Sequence, residues 1–147
     1  CPGSQIIDRS GEKVTSQGND TGERPSALRQ WPVQLHLLNP NAPYFNNADL
    51  LVAADCVAFT LNGFHEQYLA DKTLVIFCPK LDNSHEQYVQ KLTAILTENT
   101  IKSITVLRME VPCCGGTRLV VDAALQNIEK TIPLKEVIVS LSGEVIA

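Results

Sequence analysis

The apolar residues of this chain gather in short unbroken runs separated by longer stretches in which they recur every three or four positions. The runs are Val33-Gln34-Leu35-His36-Leu37-Leu38, Leu50-Leu51-Val52-Ala53-Ala54, Leu74-Val75-Ile76-Phe77, residues 103–109 and residues 136–141. Each is short and apolar enough for a buried strand. Between them, residues 84–98 place Tyr88, Val89, Leu92, Ile95 and Leu96 on one helical face, with Ser84 and Gln87 spaced as a capping box. Residues 117–128 repeat the period through Leu119, Val120, Ala123, Ala124 and Ile128. Continuous apolar strands alternating with amphipathic helices predict an α/β fold: a three-layer, mostly parallel five-stranded sheet with helices on both faces. A turn at Ser142-Gly143 is expected to return Val145-Ile146 as a short final pairing.

The first 26 residues break this pattern. They are mostly Gly, Ser, Asp, Glu, Thr and Gln, with isolated apolar points at Ile6, Ile7 and Val14, too few to offset the entropy of ordering them. Residues 1–26 are therefore expected to be a linker or N-terminal arm, and residues 27–147 a single α/β domain that carries the cysteines. Cys1-Pro2-Gly3-Ser4 reads as a processing or fragment boundary, with an upstream domain as one explanation of the missing Met. The apolar, Pro-rich segment 31–45 is a candidate contact surface, and nothing in the sequence fixes an oligomeric state.

A formal net charge of -4 and the absence of any basic run argue against nucleic acid or an anionic membrane surface as partner. No apolar stretch reaches the roughly 18 residues of a membrane span, and no leader pattern is present, so a soluble, cytoplasmic protein is expected.

Chemistry enters with the cysteines. Five is an odd number, and they lie at predicted strand ends of a chain able to build a core, which disfavours a disulfide framework and favours metal or redox use. Cys56 follows the second predicted strand, Cys78 the third, and Val111-Pro112-Cys113-Cys114-Gly115-Gly116 links the fourth to a helix. Parallel sheets carry their sites outside the carboxyl ends of the strands, so Cys56, Cys78, Cys113 and Cys114 are expected to meet at one edge. The helix beginning after the two glycines is expected to favour thiolate there.

Four thiolates suit a 4Fe-4S cluster, with zinc as the alternative metal. Neighbouring side chains diverge, so one of Cys113 and Cys114 is expected to ligate and the other to act as a nearby redox thiol. A thiol-dependent enzyme using the Cys113-Cys114 turn as nucleophile is a competing reading, as is a structural zinc or interaction domain. Ordinary core cysteines are the bland explanation. His65 and His85, in the repeated His-Glu-Gln-Tyr stretches, are weaker ligand candidates than surface residues. His36 is expected within or at the edge of the first strand. Asp49, Asp55 and Asp82 are expected in loops of the cysteine edge. There is no Walker loop or G-x-G-x-x-G fingerprint.

Four blocks carry a family resemblance: Arg24-Pro25-Ser26-Ala27-Leu28-Arg29-Gln30-Trp31-Pro32-Val33-Gln34-Leu35, Ala53-Ala54-Asp55-Cys56, Cys78-Pro79-Lys80-Leu81-Asp82 and Val111-Pro112-Cys113-Cys114-Gly115-Gly116. Together they resemble the C-terminal domain of ferredoxin-like 4Fe-4S dicluster proteins of anaerobic bacteria. The resemblance implies an iron-sulfur, electron-transfer setting in which a ferredoxin-type module with two clusters precedes this domain and is its expected partner. None of that module's ligand run occurs here.

Overall fold

The computed structural model describes residues 1–12 and 22–147. Two short strands, β1 (Ile7–Asp8) and β2 (Gln30–Trp31), pair antiparallel. The main sheet has four strands, β3 (Ala48–Ala54), β4 (Thr73–Phe77), β5 (Ile101–Met109) and β6 (Leu134–Val139), in the order β4-β3-β5-β6 and all parallel. The α/β reading of the sequence stands, with four strands where five were expected.

The missing strand is residues 33–38. Gln34 makes one parallel bridge to Ile76 on the outer edge of β4, and the chain then tightens into a 3-10 turn over Leu35–Leu37. The burial explains the turn: Leu35 and Leu38, three apart, enter the core while Leu37 stays exposed, a spacing that a turn satisfies and a strand does not. The edge of β4 is closed instead by the buried Gln30 side chain, which donates to Leu74 O at 2.8 Å and accepts from Leu74 N at 2.6 Å. Segment 31–45 is likewise core more than contact surface, since Leu35, Leu38, Tyr44 and Phe45 are buried.

The connections distribute themselves by direction. From β3 the chain steps outward to β4 through the single-turn α1 (Val57–Thr60) and a wide turn over His65–Leu69, and this stretch covers one face. It then crosses back past β3 to β5 and on to β6 through α2 (His85–Glu98) and α3 (Gly115–Gln126), which cover the other. Right-handed crossovers that reverse direction must change face in this way.

Leu50, Val52, Val75, Phe77, Ile104 and Val106 face Tyr88, Leu92, Ile95 and Leu96 of α2 and Val120, Val121 and Ala124 of α3. The second face packs Leu51, Ala53, Leu74, Leu107 and Val137 against Val57, Leu61, Phe64, Leu69 and Ala27. Helical cover there is thus short and completed by the extended segment around Ala27.

Smaller expectations divide. After the Ser142-Gly143 turn, Val145 bridges Val139 and Ile146 N donates to Ile138 O at 2.9 Å, as expected. Ser84 precedes α2 but its hydroxyl caps nothing, so the helix start is not a capping box. Of the expected arm, residues 7–8 pair with residues 30–31, while residues 13–21, including Val14, lie outside the described residues. Among the described residues no helix is long and apolar enough to cross a membrane.

Candidate functional site

The order β4-β3-β5-β6 places the reversal of chain direction between β3 and β5. In open parallel sheets the crevice at the carboxyl ends of such a pair is where ligands bind. Asp55-Cys56 leaves β3 at this point, and Val111-Pro112-Cys113-Cys114 leaves β5. Cys78 leaves β4, the other neighbour of β3. All four candidate cysteines therefore stand at the carboxyl edge on three adjacent strands, with β4 and β5 about 10 Å apart across β3.

The four thiols occupy unlike environments. Cys56 and Cys113 are exposed, Cys78 is half-buried and Cys114 is buried, all as free thiols. Burial pushes the Cys114 thiol upward; a hydrogen bond with the Met109 backbone pulls it down, and smaller contributions from Cys113 and then Cys56 push it up again. The helix start was expected to favour thiolate; for Cys114 burial is the largest influence and raises the thiol instead. With iodoacetamide near pH 8, Cys56 and Cys113 are expected to alkylate at least about tenfold faster than Cys114, read by peptide mass spectrometry. Equal rates would contradict the burial of Cys114.

Tight packing holds the turn in place. A Cβ on Gly116 would stand 2.7 Å from Pro79 Cβ, so only glycine lets the start of α3 lie against the Cys78-Pro79 turn. One residue further, Thr117 is wholly buried and its Oγ1 has no hydrogen-bond partner among the described residues. Cys78 borders a second constellation. Tyr88 lies between His36 and Phe77, with ring centroids 4.4 and 4.7 Å away, and its hydroxyl donates to Asp82. Burial, then Asp82, hold the Tyr88 phenol far above its ordinary range, so it remains a neutral donor. Asp55 is raised by burial and by Asp82, partly offset by Gln34 Nε2, which donates to it at 3.5 Å.

Other candidates fall elsewhere. Asp49 sits at the amino end of β3, bonded to Ser103 at 2.6 Å and 3.4 Å from Lys102, away from the cysteines because it begins its strand. His65 Nδ1 accepts from Ala27 N at 3.0 Å, a structural bond. His85 is an exposed first residue of α2, and His36 lies on the 3-10 turn against Tyr88. Tyr88 and Thr117 were missed as site neighbours because each reads as one more position on a buried helical face; burial of a polar group beside a strand end was the available signal.

The residues can be set against a 4Fe-4S cluster, which the sequence resemblance implies, and against zinc, the alternative that four thiolates allow. The donors suit either in kind, being four soft thiols on adjacent strand ends. They are not preassembled: among the described residues no three His, Cys, Asp or Glu side chains are gathered as a metal site. The four cysteines thus share the carboxyl edge of the sheet, while the single pocket expected for their sulfurs is not formed as a gathered metal site among the described residues.

Comparison with known proteins places the fold. An uncharacterized protein of Archaeoglobus fulgidus is 30% identical over 118 residues, spanning 80% of this chain and 82% of that relative. No solved structure gives a significant match. A family model described as a Rossmann-like domain matches residues 42–147, which hold the whole parallel sheet and all four edge cysteines, and the chain belongs to that Rossmann-like family.

Proposed function

We propose that this domain is an iron-sulfur redox domain, cytoplasmic and working with a ferredoxin-type module, in which Cys56, Cys78 and one or both of Cys113 and Cys114 hold a 4Fe-4S cluster at the carboxyl edge. The observation that carries the reading is the placement of four thiols at the chain reversal between β3 and β5 and on the adjoining β4.

When bound, such a cluster would supply one-electron redox chemistry. The protein's part is to place and shield the sulfurs. Cys114 contributes a buried donor, Gly116 lets the two cysteine turns close on one another, and Thr117 Oγ1 is a spare hydrogen-bond donor three residues after Cys114. Cys56 and Cys113 are exposed, so packing does not fix their side chains against turning to a shared ligand.

Anaerobic purification followed by iron, acid-labile sulfide and zinc analysis tests the proposal. Iron and sulfide near four each per chain are expected. Zinc without sulfide would replace the reading with a structural metal domain, and a metal-free protein with one hyper-reactive thiol would replace it with thiol chemistry at Cys113-Cys114.

A further inference from the structure

The four most exposed large apolar side chains among the described residues are Phe59 at 93%, Leu81 at 80%, Leu141 at 66% and Leu119 at 62%. One follows the carboxyl end of each strand of the sheet: Phe59 after β3, Leu81 after β4, Leu119 after β5 and Leu141 after β6. Single exposed leucines need no explanation, but this distribution puts the largest uncovered apolar groups of the molecule in the connections that carry Cys56, Cys78 and Cys113.

Two of them are tied together by the fold. Gly143, with φ of 88°, brings its turn so close to α1 that an added Cβ would stand 2.6 Å from Thr60 O. Leu141 N donates to Glu110 Oε1 at 3.3 Å. The turn after β6 is thereby joined both to α1, which carries Phe59, and to Glu110, which follows β5.

The same edge is acidic. Asp55, Asp82, Glu110 and Glu144 lie in these connections against Lys80, and no salt bridge among the described residues engages any of the four acids. Arg118, at the start of α3, is already held by Asp122 and Glu136. At the opposite end Lys72, Lys102, Lys130 and Lys135 balance Asp49, Asp71, Glu98 and Glu129, so the excess negative charge sits at the cysteine edge.

We infer that the carboxyl edge is a docking face for a redox protein whose own contact surface is apolar and rimmed by lysine or arginine. An apolar centre with an acidic rim selects such a partner by charge and buries its contact by packing. A second copy of this chain would oppose acid to acid. The inference rests on the proposed redox role for the choice of partner, but the face itself can be tested without a cluster.

The probe is ferric cytochrome c, a basic haem protein, titrated at low salt into isotopically labelled protein as isolated, with amide resonances followed by NMR. Shifts are expected in residues 55–60, 78–82, 110–119 and 140–144, fading as salt screens the rim. The exposed pairs Phe59→Ser with Leu141→Ser, and Glu110→Lys with Glu144→Lys, should each weaken binding about tenfold. Glu98→Lys with Glu129→Lys at the other end should leave it unchanged. Absence of binding, shifts spread over the whole surface, or equal loss from the distal pair would overturn the docking face. Edge-specific binding by a protein found to lack iron and sulfide would instead leave the face standing and remove the iron-sulfur role.

Discussion

Replacing Cys114 by Ser is expected to lower iron bound after anaerobic reconstitution from about four per chain to about one or less. Cys114 is the buried member of the set, so its donor is the one that packing positions in advance and its loss is not made good by a mobile neighbour. Cys56→Ser should have a similar effect, because Cys56 leaves β3, the strand paired with the β5 end that leads to Cys114. Between Cys113 and Cys114 burial discriminates: Cys114 is buried and Cys113 exposed, and a Cys113→Ser protein is expected to retain more iron than Cys114→Ser. Thermal melts distinguish a lost ligand from a lost fold, and Cys114→Ala, which avoids burying a hydroxyl, serves as the second variant. Full iron retention by both Cys56→Ser and Cys114→Ser would exclude these thiols as ligands.

Tyr88→Ala is expected to be the most destabilising of the changes considered, by about 3–5 kcal/mol. The ring is fully buried between His36 and Phe77, and it fastens α2 to the end of β4 where Cys78 begins. Loss of the ring leaves a cavity, and loss of the hydroxyl leaves Asp82 without its donor. Tyr88→Phe separates the two contributions and should cost only about 1–3 kcal/mol. Denaturant unfolding gives both values; a Tyr88→Ala protein as stable as the parent would mean that the ring does not pack as described.

These two effects mark what was and was not legible in the sequence. Strands β3 to β6 and both long helices could be read because buried parallel strands demand unbroken apolar runs and the helices keep one apolar stripe, as Leu92, Ile95 and Leu96 show. Residues 33–38 misled because four apolar side chains in six positions fit either period, and the choice was made by the depth available to Leu35 and Leu38 beside β4. The cysteine edge followed from strand direction alone. The reversal between β3 and β5 did not, since strand order depends on long-range pairing. Nor did the raised thiol of Cys114: the sequence displays the helix start beside it, whereas its burial comes from Met109 and the second-face core around it. Asp49 was assigned to the wrong end, because a residue at the start of β3 lies at the amino edge, opposite the edge from which Cys56 leaves the same strand.

The central claim is that thiols of the carboxyl edge form the ligand shell of an iron-sulfur cluster. X-ray absorption at the iron edge of anaerobically reconstituted protein tests it most directly. An all-sulfur first shell with a short iron-iron vector, absent in Cys114→Ser, is the predicted result. A first shell of nitrogen and oxygen, unchanged by that substitution, would contradict it.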